Sequence, residues 1–250
     1  MTSPILAVKN LSKRFGGLYA VRDASLAVDA GSITAVIGPN GAGKTTLFTL
    51  IAGFEKPDHG RILYENADIT GESAHRLARR GIARTFQIVQ PFAGLSVLEN
   101  IAVGAHLHVA QRAAALEAAA EVAKRLGLEK VLNQPAATLT LAGRKRLELA
   151  RALATSPKLL LLDEVLAGLN PSEIRDMLPV IRSIRESGVT ILMIEHVMQA
   201  VMSLAEQVDV LVEGHVVARG TPAEVAANPQ VIEAYLGRGA AARLAGGAHA

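Results

Sequence analysis

A chain of 250 residues, half of them apolar and one fifth charged, can bury a large core as one domain or as one domain with an inserted lobe. Its formal net charge of +3 is small for this length and does not by itself imply a nucleic-acid partner. The absence of cysteine excludes disulfides and thiolate metal sites, and it disfavours a small secreted scaffold.

The first ten residues, MTSPILAVKN, hold no apolar run long enough for a signal peptide. No window reaches the roughly 18 uninterrupted apolar residues of a spanning helix, so the chain is expected in the cytoplasm, free to dock on a membrane partner. Residues 1–30 read as short alternating strands, ILAVKN and AVRDASLAV, around a turn at Gly16 and Gly17. GSITAVIG is then a buried strand, and a Gly-rich turn feeds the helix TTLFTLIAG, stopped by Gly53. KPDHGRILYENADI returns to β structure.

From about 88 to 140 the chain turns alanine-rich, and AQRAAALEAAAEVAKRLGL predicts a helix stopped at Gly127 within a helical lobe. In LTLAGRKRLELARAL a Thr and Gly loop leads into an amphipathic helix carrying Leu147, Leu149, Ala150, Leu153 and Ala154. LLLLD, VTILMIEH and VDVLVEGH alternate with helices in the last third, which predicts a parallel, helix-covered α/β sheet. The tail GRGAAARLAGGAHA is small-residue rich and is expected to be flexible.

GPNGAGKT, from Gly38, Pro39, Asn40, Gly41, Ala42 and Gly43 to Lys44 and Thr45, fits G-x-x-x-x-G-K-[ST] between a strand and a helix, and Thr46 follows it. Glycines let successive backbone N–H groups converge on phosphate oxygens, and the helix N-terminus adds partial positive charge. Lys44 is placed to reach the β and γ phosphates of ATP, and the Thr45 hydroxyl to coordinate Mg2+. LLLLDE ends a buried strand in two carboxylates. Beside a phosphate loop, Asp163 is assigned to magnesium and Glu164 to polarising the attacking water.

His196 ends VTILMIEH. A lone strand-end histidine is more often a structural hydrogen-bonder, but among these neighbours it is placed to hold the γ phosphate and its water. Gln87 in ARTFQ joins the core-like segment to the lobe. It is either a ligand to magnesium that also touches whatever the lobe binds, or an exposed loop amide.

Phosphate loop, glutamine, Thr and Gly loop before an ARAL helix, acid pair and strand-end histidine, in that order, resemble the ATP-binding subunits of ABC transporters over about residues 5–236. The resemblance implies a P-loop NTPase (RecA-like) α/β fold: a mainly parallel sheet core with an N-terminal antiparallel β subdomain and an inserted α-helical subdomain at about 88–140. Residues 1–236 would form the single ATPase domain, and 237–250 the tail. The resemblance also implies adenine stacking on Phe15, a partner-sensing loop at Gln87, and a switch role for His196. The family's LSGGQ loop, which closes on the γ phosphate of the opposite subunit, here reads LTLAG. Thr140 keeps a hydroxyl, while Leu141 and Ala142 replace two glycines and Gly143 replaces the glutamine. The N-terminus of the following helix still suits an anion, but a positive φ at Ala142 would cost about 1 kcal/mol. Val165 and Asn170 stand where Pro and a dimer-contacting Asp are common in the family.

GIARTFQ, AGLNP, IEHVMQAVM and VIEAYLG look like the ATPase subunit of branched-chain amino acid importers. That resemblance implies two transmembrane permease subunits, a homologous second ATPase subunit or a homodimer, and a periplasmic binding protein acting indirectly. It implies no nucleic acid. The permease would meet the surface around 87–100, with Phe92, Leu95 and Val97 either in contact with it or buried in the lobe. Other cargoes (urea, amides, lipid) and a slow ATP-binding partner in a heterodimer are the alternatives. A soluble ABC ATPase acting on DNA or ribosomes is disfavoured by the single cassette and by the low aromatic content of 3%.

Overall fold

The computed structural model describes residues 3–87 and 90–236; the expected flexible tail, 237–250, lies outside the described residues. Strands β1 (Leu6–Phe15) and β2 (Leu18–Val28) form an antiparallel hairpin around Gly16 and Gly17. After β3 (Ile33–Ile37) and α1 (Lys44–Ile51), β4 (His59–Tyr64) and β5 (Ala67–Asp68) complete a four-stranded antiparallel sheet in the order β2-β1-β4-β5. The chain then runs through α2 (Ala74–Arg79), β6 (Ile82–Arg84), α3 (Val97–Ala105), α4 (Arg112–Arg125) and α5 (Leu141–Leu153). It returns through β7 (Leu159–Asp163), α6 (Pro171–Glu186), β8 (Thr190–Ile194), α7 (Met198–Leu204), β9 (Gln207–Val212) and β10 (His215–Gly220), and ends in α8 (Pro222–Ala226) and α9 (Pro229–Leu236).

The second sheet has the order β10-β9-β3-β8-β7-β6, and every pair but β10 with β9 is parallel. Parallel pairing puts the carboxyl ends of β3, β6, β7 and β8 along one edge, where ligands collect in open α/β sheets. The strands read as unbroken apolar runs because both faces are covered. Leu160, Leu162, Ile191 and Met193 enter the core shared with the helices. Leu159, Leu161, Leu192 and Ile194 alternate with them into a second core against α1 and the antiparallel sheet.

Helix starts follow local chemistry. Ser96 with Glu99, Asn170 with Glu173, and Thr221 with Glu224 each form a capping box. The small deviation at Asn170 therefore has a local reason, since its Oδ1 accepts from Ser172 N and Glu173 N at the head of α6. Gly127, with φ +68, stops α4 as expected. Helix α5 packs on α3 and α4, and Val97 is fully buried, so it belongs to the core and not to an exposed contact surface. Phe92 stays exposed, with the Arg151 guanidinium 4.8 Å from its ring centroid.

Candidate active site

The turn from β3 into α1 is built on backbone that excludes side chains. A Cβ on Gly38 (φ +154) would lie 2.0 Å from Leu211 O, and one on Gly43 (φ +100) 2.0 Å from Ala20 O. Gly43 occupies the N-cap of α1 and supplies no side-chain cap, which leaves the first-turn N–H groups to an anionic ligand. Lys44 is buried. Its Nζ donates to Gly38 O (2.8 Å) and Pro39 O (2.9 Å), so the ammonium stiffens the loop it belongs to. Burial lowers the Lys44 pKa, and the nearby Glu164 and Asp163 charges oppose that shift.

A cleft of about 710 Å³ opens over this turn, within the size range of small-molecule sites. Residues 40–46 line it together with Gln87, Glu164 and His196. The last three come from separate elements and meet in one hydrogen-bonded group. Gln87 Nε2 donates to Glu164 Oε2 (2.7 Å), and His196 Nε2 lies 2.8 Å from Glu164 Oε1. A carboxylate only accepts, so this contact puts a proton on Nε2. Gln87 is exposed, and its bond ties the amide to Glu164. Glu164 sits at φ +49, a region a non-glycine residue enters at a cost. Its N–H donates to Ile194 O (3.0 Å), and Lys145 Nζ donates to its carbonyl (3.1 Å) and to Gln87 O (3.3 Å).

Asp163 lies just below, in register with Ile194 of β8, and is 2% exposed. Its Oδ2 accepts from Arg84 Nη2 at 2.7 Å, while Oδ1 is buried without a hydrogen-bond partner among the described residues. Thr45, Gln87 and Asp163 line one adjoining cleft of about 420 Å³. One hydroxyl, one amide oxygen and one carboxylate with an unpartnered oxygen suit Mg2+, which takes oxygen ligands and keeps several waters.

The remaining expected residues lie apart. Phe15 does not line the cleft. It faces Leu18, a cleft-wall residue, across the β1–β2 pair, which puts its half-exposed ring on the same face at the rim. Thr140, Ala142 and Gly143 line neither cleft. Thr140 caps α5, its Oγ1 accepting from Gly143 N (3.2 Å). Ala142 lies within the first turn of α5 and is not among the residues with positive φ, so the conditional strain attached to its Cβ does not arise.

Arg84, Lys145 and the cleft-wall pair Leu18 and Tyr19 escaped the sequence reading. Lys145 had left a sign there: a charged residue four before Leu149, on the stripe of α5 that turns inward.

A glycine-walled loop at a helix N-terminus, with acids and a histidine at neighbouring strand ends, defines a P-loop nucleotide-binding protein. The sequence matches the ABC transporter family over residues 21–167, and the branched-chain amino acid ATP-binding cassette transporter family over residues 215–241. It is 40% identical to BraF of Pseudomonas aeruginosa, a high-affinity branched-chain amino acid transport ATP-binding protein, with 95% of this chain and 99% of that one covered. LivG of Escherichia coli, of the same description, is 39% identical over the same shares. Among solved structures, an ATP-binding cassette of an ABC transporter in its ADP conformation superposes with a TM-score of 0.86 at 33% identity, covering 95% of this chain and all of that one. A nucleotide-free ATP-binding cassette gives 0.85 at 32%, covering 93% and 98%. The chain belongs to the ABC transporter ATP-binding family and is an ATPase.

Proposed function

We propose that the chain is the ATP-hydrolysing subunit of an importer for branched-chain or related amino acids, bound peripherally to the cytoplasmic face of the membrane through permease subunits. The supporting observation is the group Gln87, Glu164 and His196 at hydrogen-bond distance beside the Lys44 loop. In this reading the loop N–H groups and Lys44 bind the phosphates, and Phe15 with Leu18 offers an apolar platform for the base. Thr45, Gln87 and Asp163 would hold Mg2+, which would supply neutralisation of phosphate charge. Glu164 orients the water and takes up its proton as its oxygen attacks the γ phosphorus and the bond to the β–γ bridging oxygen breaks, releasing ADP and inorganic phosphate, and His196 keeps the carboxylate and the γ phosphate in line.

Two likenesses support the cargo class: the names carried by the relatives, and the match of residues 215–241. Among the described residues no helix is long and apolar enough to cross a membrane. A periplasmic binding protein would deliver the cargo to the permease. Thr140 and the first turn of α5 with Ala142 and Gly143, outside this chain's own cleft, would serve the γ phosphate of a second subunit, as a homodimer or with a related ATPase. Reconstituting the chain with its candidate permeases and measuring ATP-dependent uptake of radiolabelled leucine tests the reading. Uptake that requires Glu164 supports it, and uptake that survives Glu164→Gln contradicts it.

A further inference from the structure

Arg84 is out of place for a surface cation. It ends β6 with its side chain only 8% exposed, and its guanidinium is held from several sides. Nη2 donates to Asp163 Oδ2 at 2.7 Å and Nη1 to Thr49 Oγ1 at 3.1 Å. The rings of Phe54 and Phe86 stand 5.9 and 5.6 Å from it and pack edge-to-face on each other at 5.6 Å. These rings are themselves 52% and 45% exposed, so they form a clamp on the outside of the molecule around a guanidinium that reaches inside. Oδ2 of Asp163 is taken and Oδ1 is left, buried and without a partner among the described residues.

We propose that Arg84 is a positioning residue for magnesium, holding Asp163 by one oxygen so that the other is the one that receives the ion or its water. The proposal rests on the reading of Asp163 as a magnesium ligand. Charge and geometry predict opposite results when the guanidinium is removed. A cation beside the ion repels it, so charge alone would make binding tighter without Arg84. Loss of an oriented ligand makes it weaker, by about 10- to 100-fold for partners that hold metal ligands in place. Arg84 also lines a second groove, with Phe54, Phe86, Val103 and Glu148, so anything that presses on the two rings bears on the residue that orients Asp163.

The test is the affinity of the full chain for a fluorescent ATP analogue, with Mg2+ and with EDTA, in a Glu164→Gln background that suppresses turnover. The ratio of the two dissociation constants isolates the contribution of the ion. Arg84→Met is expected to cut that ratio about tenfold or more while leaving the affinity in EDTA unchanged, and Arg84→Lys to recover part of it. An unchanged ratio, or a larger one, overturns the proposal. Should Arg84→Met fail to fold, Phe54→Leu at the exposed ring decides. A smaller fall in the ratio supports the proposal, and the parent ratio contradicts it. No effect of Mg2+ in the parent would instead remove the magnesium reading of Asp163 and the proposal with it.

Discussion

At the residue scale the proposed chemistry rests on Lys44 and Glu164, and each makes a separable prediction. Lys44→Ala removes the ammonium that touches Gly38 O and Pro39 O, and is expected to abolish ATP binding or turnover; an undiminished rate would withdraw the phosphate-loop assignment. Glu164→Gln keeps the side-chain shape but loses the proposed base. Turnover should fall at least about a hundredfold while Mg-ATP still binds, and a rate within about tenfold of wild type would reassign the role. His196→Ala breaks the 2.8 Å contact to Glu164 Oε1 and should slow hydrolysis strongly with little effect on ATP affinity. The loop and the acid pair were legible in the sequence because each motif is local. Arg84 was not, because its partner Asp163 lies 79 residues away and nothing near Arg84 in the sequence announces a buried carboxylate.

At the scale of elements, β3, β7 and β8 were readable as buried strands because each is an apolar run too short for a helix and bounded by glycine or charged residues. Their order was not readable. The placement of β8 between β3 and β7 is what brings Glu164 and His196 together, and only tertiary pairing sets it. A helix after Thr140 was legible, but its start was not: α5 begins at Leu141, inside the expected Thr and Gly loop, and its Thr140 cap needed coordinates. Thr140→Val is expected to cost about 1 kcal/mol of stability and a few degrees of melting temperature, read by thermal denaturation.

At the end of β8, burial pushes the Glu195 carboxyl up to about 7, against the bonds it accepts from Leu166 N and His196 N. A carboxyl raised in the folded state binds its proton more tightly there than when unfolded. Its contribution is therefore present below the ordinary carboxylate range and lost as pH rises through about 7. Wild type should gain stability over Glu195→Gln as pH falls from about 8 to about 5. A difference independent of pH would contradict this.

For the whole molecule, the two cores meet across one sheet, and Thr140 at the α5 cap is exposed and lines neither cleft. In the proposed reading the α5 cap serves the γ phosphate of a second subunit, which makes dimerisation the central claim. The most direct measurement is size exclusion of purified Glu164→Gln with and without Mg-ATP, beside turnover of the wild type. The account predicts an ATP-dependent dimer and measurable wild-type turnover, showing that LTLAG closes on a phosphate. A Glu164→Gln chain that binds ATP yet stays monomeric, with no turnover in wild type, would contradict a self-sufficient ATPase.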